Sequence, residues 1–300
     1  MTGKVTIVRE FDCSLGEGPH WDDVSQTLLF VDINKAAVHR WNPANNQMKS
    51  IYLPDSTVGA VVPREKGGLV IAAAHRFAFV DEETGATETI KEANLEFPQS
   101  RFNDGKCDPA GRFWAGTMGN EKEPGKPRRN EGALYCLQKD KSVTKHVAPV
   151  DISNGLSWTA DKTVMYYCDS LRFCIDAYDY NIANGEMTNQ RVVYKFNREE
   201  EGVPDGHCID ADDNIWVAMF FTGQVIKIDP RAGKKLQTIK VSDVAVKTTS
   251  VCFGGRNLDE MYVTSARNPS VNKVDGDTSG GLFKITELGA KGLQANIYEG

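Results

Sequence analysis

Oxygen-bearing side chains recur at the same point of a long sequence repeat. Each lies beside a turn-forming glycine that precedes a strand-like run, and the candidates are Glu17, Asn103 or Asp104, Asn154 and Asp205. A variant of the repeat has Val58 before Gly59. Carboxylate and amide oxygens are the ligands that hard divalent cations prefer. If the repeats surround one centre, these side chains can form an all-oxygen metal site.

The spacing of the glycines indicates what must position these side chains. They stand at positions 18, 59, 105, 155 and 206, so the steps are 41, 46, 50 and 51 residues. A repeat of this length matches one small antiparallel sheet. After each glycine, runs of β-branched and aromatic residues alternate with turns rich in Asp, Asn, Gly and Pro. The unit from Val58 thus predicts strands at 58–62, 69–73 and 76–80.

A sixth unit begins near Thr249, and residues 190–196 and 236–241 are typical of a fourth, outer strand. The sequence therefore predicts an all-β protein, a six-bladed β-propeller of four-stranded antiparallel blades, as one domain over residues 1–300. Residues 5–9 or 294–298 are expected to complete a blade and close the ring. The start of each innermost strand should face the central channel, which is where the oxygen ligands fall.

Composition and charge exclude several classes of partner. The net charge of −6 and the pI near 5.5 argue against nucleic-acid binding. No stretch approaches the roughly 20 apolar residues of a membrane span, and the start of the chain has no apolar signal core. The seven cysteines contain no CxxC pair, which favours reduced core thiols in a cytoplasmic protein over a cysteine-ligated zinc site.

Several spaced motifs together resemble a known family. They lie at residues 15–19, 101–106, 115–118, 153–156, 204–206, 253–255 and 261–266. In order and separation they are similar to the motifs of the regucalcin (senescence marker protein) and gluconolactonase family, with the animal regucalcins most alike. The likeness runs from about Gly16 to Gly300. It implies a six-bladed propeller that holds one catalytic divalent cation, which could be Ca²⁺, Zn²⁺, Mn²⁺ or Mg²⁺.

The resemblance also implies roles for individual residues. The protein ligands of the metal would be Glu17, Asn154 and Asp205. Asn103 would lie beside the metal and reach it directly or through water. Arg101, Asn103 and Glu121 would hold substrate hydroxyls. Glu121 is at the edge of a loop, residues 119–131, whose composition departs from the family.

The expected chemistry is hydrolysis of a small sugar-acid lactone such as glucono- or gulono-lactone. A divalent cation polarises a lactone carbonyl and lowers the pKa of bound water. Asp205 could bind the metal and also accept the proton of the attacking water. Arg101 could bind ring hydroxyls or the developing oxyanion. Two alternatives stay open, a non-catalytic Ca²⁺-binding regulatory protein and a metal-dependent organophosphate hydrolase.

Overall fold

The computed structural model describes residues 3–9, 11–123, 126–267 and 276–300. Across these residues the strands form six four-stranded antiparallel sheets and one separate two-stranded ribbon. The innermost strand of each sheet contacts the innermost strands of the sheets before and after it, and the sixth contacts the first. The sheets therefore close into a ring, and the predicted six-bladed β-propeller is confirmed.

Each blade is an antiparallel meander that runs outward from the channel. In that order the strands of the first three blades are Gly16–Asp22, Thr27–Asp32, Ala37–Asn42 and Gln47–Tyr52; Val58–Pro63, Leu69–Ala73, Arg76–Val80 and Thr87–Glu92; and Arg101–Cys107, Phe113–Met118, Gly132–Leu137 and Val143–Val150. Those of the last three are Ser153–Trp158, Val164–Asp169, Cys174–Asn181 and Glu186–Lys195; Val203–Ile209, Ile215–Phe220, Gln224–Asp229 and Lys234–Lys240; and Thr248–Gly254, Glu260–Ser265, Leu282–Thr286 and Lys4–Arg9.

The ring is closed by the N-terminal strand. Lys4–Arg9 pairs with Leu282–Thr286 and becomes the outer strand of the sixth blade. Of the two segments that could complete a blade, the N-terminal one is confirmed, and the prediction for residues 294–298 is wrong. That C-terminal segment instead crosses the end of the channel, since Gly292 donates to the Leu258 carbonyl and Tyr298 donates to the Pro63 carbonyl.

Helical structure among the described residues is limited to Arg198–Glu201 and a 3₁₀ turn at Ser170–Arg172. No helix in the described ranges is long and apolar enough to cross a membrane. The blades are held together by apolar clusters between neighbouring sheets, such as the one that contains Phe77, Phe102 and Phe113. All seven cysteines are free and buried, as predicted.

The repeated glycines have a different role from the predicted one. We expected turns ahead of the strands, but all five glycines lie inside innermost strands. A Cβ on Gly155 would lie 2.2 Å from the His207 ring, and one on Gly206 would lie 2.0 Å from Ser250 Oγ in the next blade. Glycine at these two positions therefore lets adjacent innermost strands pack closely around the channel.

All six innermost strands also contain a register shift at or beside this position, which Ser250 occupies in the sixth blade. The shifts fall at Glu17/His20, Val58/Ala60, Phe102/Asp104, Ser153/Leu156, Pro204/His207 and Thr248/Val251. A bulge bends a strand and redirects the side chains beside it. The same irregularity, repeated six times, positions one ring of side chains around the channel.

Candidate metal centre

Four of these innermost strands bring oxygen-bearing side chains together at the end of the channel where the strands begin. We call the set the oxygen ring, and it consists of Glu17, Asp104, Asn154 and Asp205. All four side chains are buried. Each stands directly before the glycine of its repeat. The second blade contributes the apolar Val58 instead, and the sixth contributes Thr249.

The three carboxylates of the oxygen ring interact strongly with one another. The pKa of Glu17 lies well above its ordinary value, first because of burial and then because of the charges of Asp205 and Asp104. Burial followed by the charge of Asp104 likewise raises the pKa of Asp205. Mutual repulsion in a buried site is relieved when a cation binds between the carboxylates. The electrostatics of the ring therefore favour a positively charged ligand.

Asp205 has an oxygen that lacks a donor. The residue is 7% exposed, and its Oδ1 accepts no hydrogen bond within the described part of the chain. A buried carboxylate oxygen without a partner is costly and needs a ligand. By contrast, Oε2 of Glu17 accepts a hydrogen bond from the Gly18 amide at 3.0 Å. The unpaired oxygen shows that the ring has room for a further ligand at Asp205.

The oxygen donors decide which kind of cation fits. Among the described residues no group of three or more His, Cys, Asp or Glu side chains is arranged to hold a metal ion. A cation here would need the Asn154 amide oxygen and water in addition to carboxylates. Ca²⁺ and Mg²⁺ accept mixed shells of this type, and the ring offers neither imidazole nor thiolate. The residues present thus fit a hard divalent cation.

Hydrogen bonds hold the amides of the site in place. Asn154 donates from Nδ2 to Ser170 Oγ at 2.8 Å. Asn103 donates from Nδ2 to Asn154 Oδ1 at 3.2 Å and to the Ser153 carbonyl at 2.9 Å. The Oδ1 of Asn103 accepts from Arg101 Nη1 at 2.7 Å. Asn103 therefore joins Arg101 to the oxygen ring, an arrangement that favours contact with a cation through water rather than directly.

Charged side chains continue from the oxygen ring to the channel mouth. Burial lowers the pKa of Arg101, while the charges of Glu121, Glu17 and Asp205 oppose that shift. Glu121 is exposed and begins the ribbon strand Glu121–Glu123, which pairs with Lys126–Pro127. The predicted loop over residues 119–131 is thus partly a ribbon, and its residues 124 and 125 lie outside the described ranges.

The structure brings all the sequence-predicted site residues to this end of the channel. Glu17, Asn154 and Asp205 are in the ring, Asn103 and Arg101 lie beside it, and Glu121 acts on Arg101 from the mouth. It also adds residues that the sequence analysis missed or left open. Asp104 precedes Gly105 as Asp205 precedes Gly206, so the repeat itself could have selected it.

Two further residues near the site could not be predicted from the sequence. Ser170 orients Asn154 from the 3₁₀ turn that follows the next strand of the same blade. Lys247 is half-buried in the loop before the sixth blade, and the charge of Glu121 acts on it. Both contacts depend on how loops return to the channel, which residue spacing does not reveal.

Comparison with known proteins agrees with this fold. Residues 15–267 match the family described as the SMP-30/Gluconolactonase/LRE-like region. Regucalcin of Xenopus laevis is 43% identical, with 99% of each chain covered. A solved luciferin-regenerating enzyme superposes with a TM-score of 0.91 at 33% identity, and 99% of each chain is covered.

A second solved structure, a calcium-binding protein called regucalcin from Agrobacterium tumefaciens, has a TM-score of 0.88 at 25% identity. It covers 98% of this chain, and this chain covers 96% of it. The matches extend along almost the whole length of the propeller. The chain belongs to the SMP-30/Gluconolactonase/LRE-like family.

Proposed function

We propose that the protein is a divalent-metal-dependent hydrolase of small sugar-acid lactones. The observation that carries the proposal is the buried oxygen ring, in which Asp205 has an unpaired oxygen and the charge of Arg101 acts on the same carboxyl. The family description, which includes gluconolactonases, supports the same reaction class. A cation bound by Glu17, Asn154 and Asp205 would supply Lewis-acid activation of the lactone carbonyl and of water.

Asp205 acts as the general base in this scheme. Its Oδ1 is free of hydrogen bonds from the described residues and can accept a proton from the attacking water. The ordinary effect of burial would keep such a carboxyl protonated, and a bound cation reverses that effect by stabilising the ionised form. The second oxygen remains available to hold the cation.

Arg101, Asn103 and Glu121 provide the substrate contacts. The Arg101 guanidinium has five N–H donors. Its Nη1 donates to Asn103 Oδ1 and to the Phe102 carbonyl. Its remaining donors can bind ring hydroxyls or the oxyanion that develops on the carbonyl. Glu121 adds an acceptor for hydroxyls at the mouth. A polyhydroxylated, uncharged lactone suits this mixture of donors and acceptors.

Chelation tests the proposal directly. Glucono-lactone hydrolysis is followed with a pH indicator in protein treated with EDTA and then given Ca²⁺, Mg²⁺, Mn²⁺ or Zn²⁺ in turn. We expect activity to disappear on chelation and to return with at least one ion. Full activity in the metal-free protein would overturn the proposal.

A non-catalytic calcium-binding role is the second candidate, because the Agrobacterium tumefaciens structure is described as that of a calcium-binding protein. The two roles separate in the Asp205→Asn variant. If that variant loses turnover but still binds Ca²⁺ and retains an effect on a protein partner, binding is a function in its own right. If Ca²⁺ never changes association with any protein, only the hydrolase role is left.

We infer a cytoplasmic location from the thiols. Cys107, Cys136 and Cys168 are fully buried, and all seven cysteines are unpaired. Reduced thiols in the core are typical of cytosolic proteins. Fractionation of cells that express the protein would test this, with recovery in a secreted or membrane fraction as the contrary result.

A further inference from the structure

The side-chain amides of Asn103 and Asn154 are joined by hydrogen bonds beside the oxygen ring. An amide carries an oxygen at one end and an NH₂ group at the other, and the two ends are nearly equal in shape. Only the oxygen can bind a cation, so a site that uses Asn154 needs neighbours that select its oxygen. The donors and acceptors around the two amides show which residues make that selection.

Two groups fix the orientation of Asn103. Arg101 Nη1 lies 2.7 Å from one end of the amide, and a guanidinium has donors only, so that end must be the oxygen Oδ1. The Ser153 carbonyl lies 2.9 Å from the other end, and a carbonyl can only accept, so that end must be Nδ2. A reversed amide would place donor against donor and acceptor against acceptor. Asn103 therefore has one permitted orientation.

Asn103 in turn fixes the orientation of Asn154. Its Nδ2 is a donor that lies 3.2 Å from one end of the Asn154 amide, and that end must accordingly be Oδ1. The Nδ2 of Asn154 then donates to Ser170 Oγ at 2.8 Å. Because a hydroxyl can donate or accept, Ser170 alone could not choose between the two ends. It supplies the acceptor that the chosen orientation needs.

The Asn154 oxygen has a lone pair to spare, whereas the Asn154 nitrogen is engaged. One N–H of Nδ2 is donated to Ser170. Burial raises the pKa of Asp205, and a hydrogen bond from the Asn154 side chain opposes that shift, which accounts for the other N–H. Oδ1 accepts from Asn103, and a carbonyl oxygen has two lone pairs. The remaining lone pair is thus on the atom that a hard cation needs.

We propose that Asn103 and Ser170 are positioning residues, which together hold the amide oxygen of Asn154 ready for the cation. This inference rests on the cation site of the proposed function. It adds that affinity for the ion depends on two side chains that need not touch it. Asn103 is 5% exposed, Asn154 is 3% exposed and Ser170 is 1% exposed. Since all three are buried, loss of either positioning residue leaves part of the Asn154 amide unpaired and the orientation of its oxygen less certain.

Calorimetric titration of the metal-free protein with Mn²⁺ measures this affinity without any turnover. Ser170→Ala deletes the acceptor of Asn154 Nδ2 and should weaken Mn²⁺ binding about tenfold, the lower end of the range for residues that orient a metal ligand. Ser265→Ala is the matched control, because its buried hydroxyl donates to the Gly281 carbonyl at 2.8 Å in the sixth blade. The control should bind Mn²⁺ as the wild type does.

A substitution at position 154 removes the need for the choice. Asn154→Asp introduces a carboxylate whose two oxygens are equivalent, so that neither end is the wrong one. In that background Ser170→Ala should weaken Mn²⁺ binding by less than about threefold. Asn103→Ala removes the donor to Asn154 Oδ1 and provides a second variant if Ser170→Ala does not fold. The same dependence on residue 154 is expected for it.

The affinities decide the positioning roles separately from the hydrolase function. Wild-type affinity in Ser170→Ala, an equal loss in Ser265→Ala, the same loss in both backgrounds, or no Mn²⁺ binding by the wild type would overturn the inference. If the wild type binds Mn²⁺ but hydrolyses no lactone, the hydrolase function fails, and the variant affinities still decide the roles of Asn103 and Ser170.

Discussion

The oxygen ring and a cavity of about 230 Å³ lined by His20, Lys106 and Cys208 are built by the same strands, yet they differ in charge. In the ring, the side chain before each glycine is Glu17, Asp104, Asn154 or Asp205, and the carboxylates raise one another's pKa. In the cavity, Lys106 and His20 lie among protonated thiols, and the pKa of His20 is lowered. Strand geometry decides where a side chain points, whereas the residue type at each register position decides which charges lie at each end of the channel.

The largest effect should come from the oxygen ring. Asp205→Asn removes the proposed base and one metal-binding oxygen, so we expect lactone hydrolysis to fall by about 10³-fold, the middle of the range for a general base. The exposed Asp212→Asn is a matched control and should keep wild-type activity. A loss of less than tenfold in Asp205→Asn would show that another group performs the proton transfer.

The same variant should not destabilise the metal-free protein. Asparagine replaces a buried carboxyl whose ionised form is disfavoured, so thermal unfolding in EDTA should occur at an equal or higher temperature than in the wild type. A clear decrease in that temperature would mean that Asp205 mainly stabilises the fold. It would then contradict the contrast in charge between the oxygen ring and the cavity.

The second effect tests the neutral character of the cavity. The folded His20 pKa of about 4 lies below its ordinary 6.5, so the unfolded chain binds more protons between these pH values. Stability should therefore fall as the pH drops from 6.5 to 4, by about 3 kcal/mol from this residue at most. Urea unfolding of His20→Phe should show a flatter dependence over that window. An unchanged slope would contradict a buried, neutral His20.

The smallest effect is expected at the mouth of the channel. Glu121 is exposed and acts on Arg101 through charge. Since exposed charge pairs contribute little, Glu121→Gln should raise the lactone KM by roughly two- to fivefold and leave kcat nearly unchanged. Steady-state kinetics with glucono-lactone measures this. A large decrease in kcat would place Glu121 in the chemical step instead.

The sequence predicted the fold well because the fold is repeated. Glycines recur in five blades, and in four of them a Cβ would clash with a neighbouring strand. The strand runs between them are bounded by clear turn residues, as the match of residues 69–73 to Leu69–Ala73 illustrates. What the repeat could not decide was the choice between two terminal segments for the last outer strand. Both have strand-like composition, and only the pairing of Lys4–Arg9 with Leu282–Thr286 distinguishes them.

The site was predictable where it follows the repeat and not where it departs from it. Glu17, Asn154 and Asp205 precede glycines, and the same signal applies to Asp104. The glycines were misread as turns because a glycine that makes room for a neighbouring strand looks the same in the sequence as one that a turn requires. Ser170 and Lys247 approach the channel from loops, whose paths have no periodic signal.

The most direct test of the account is the position of a bound cation. Crystals grown with Mn²⁺ would be measured at the manganese absorption edge, and an anomalous difference map would locate the ion. We predict one peak within the oxygen ring, coordinated by Glu17, Asn154 and Asp205, and none in the cavity beside Lys106. A peak beside Lys106, or no peak in the oxygen ring at saturating Mn²⁺, would contradict the account.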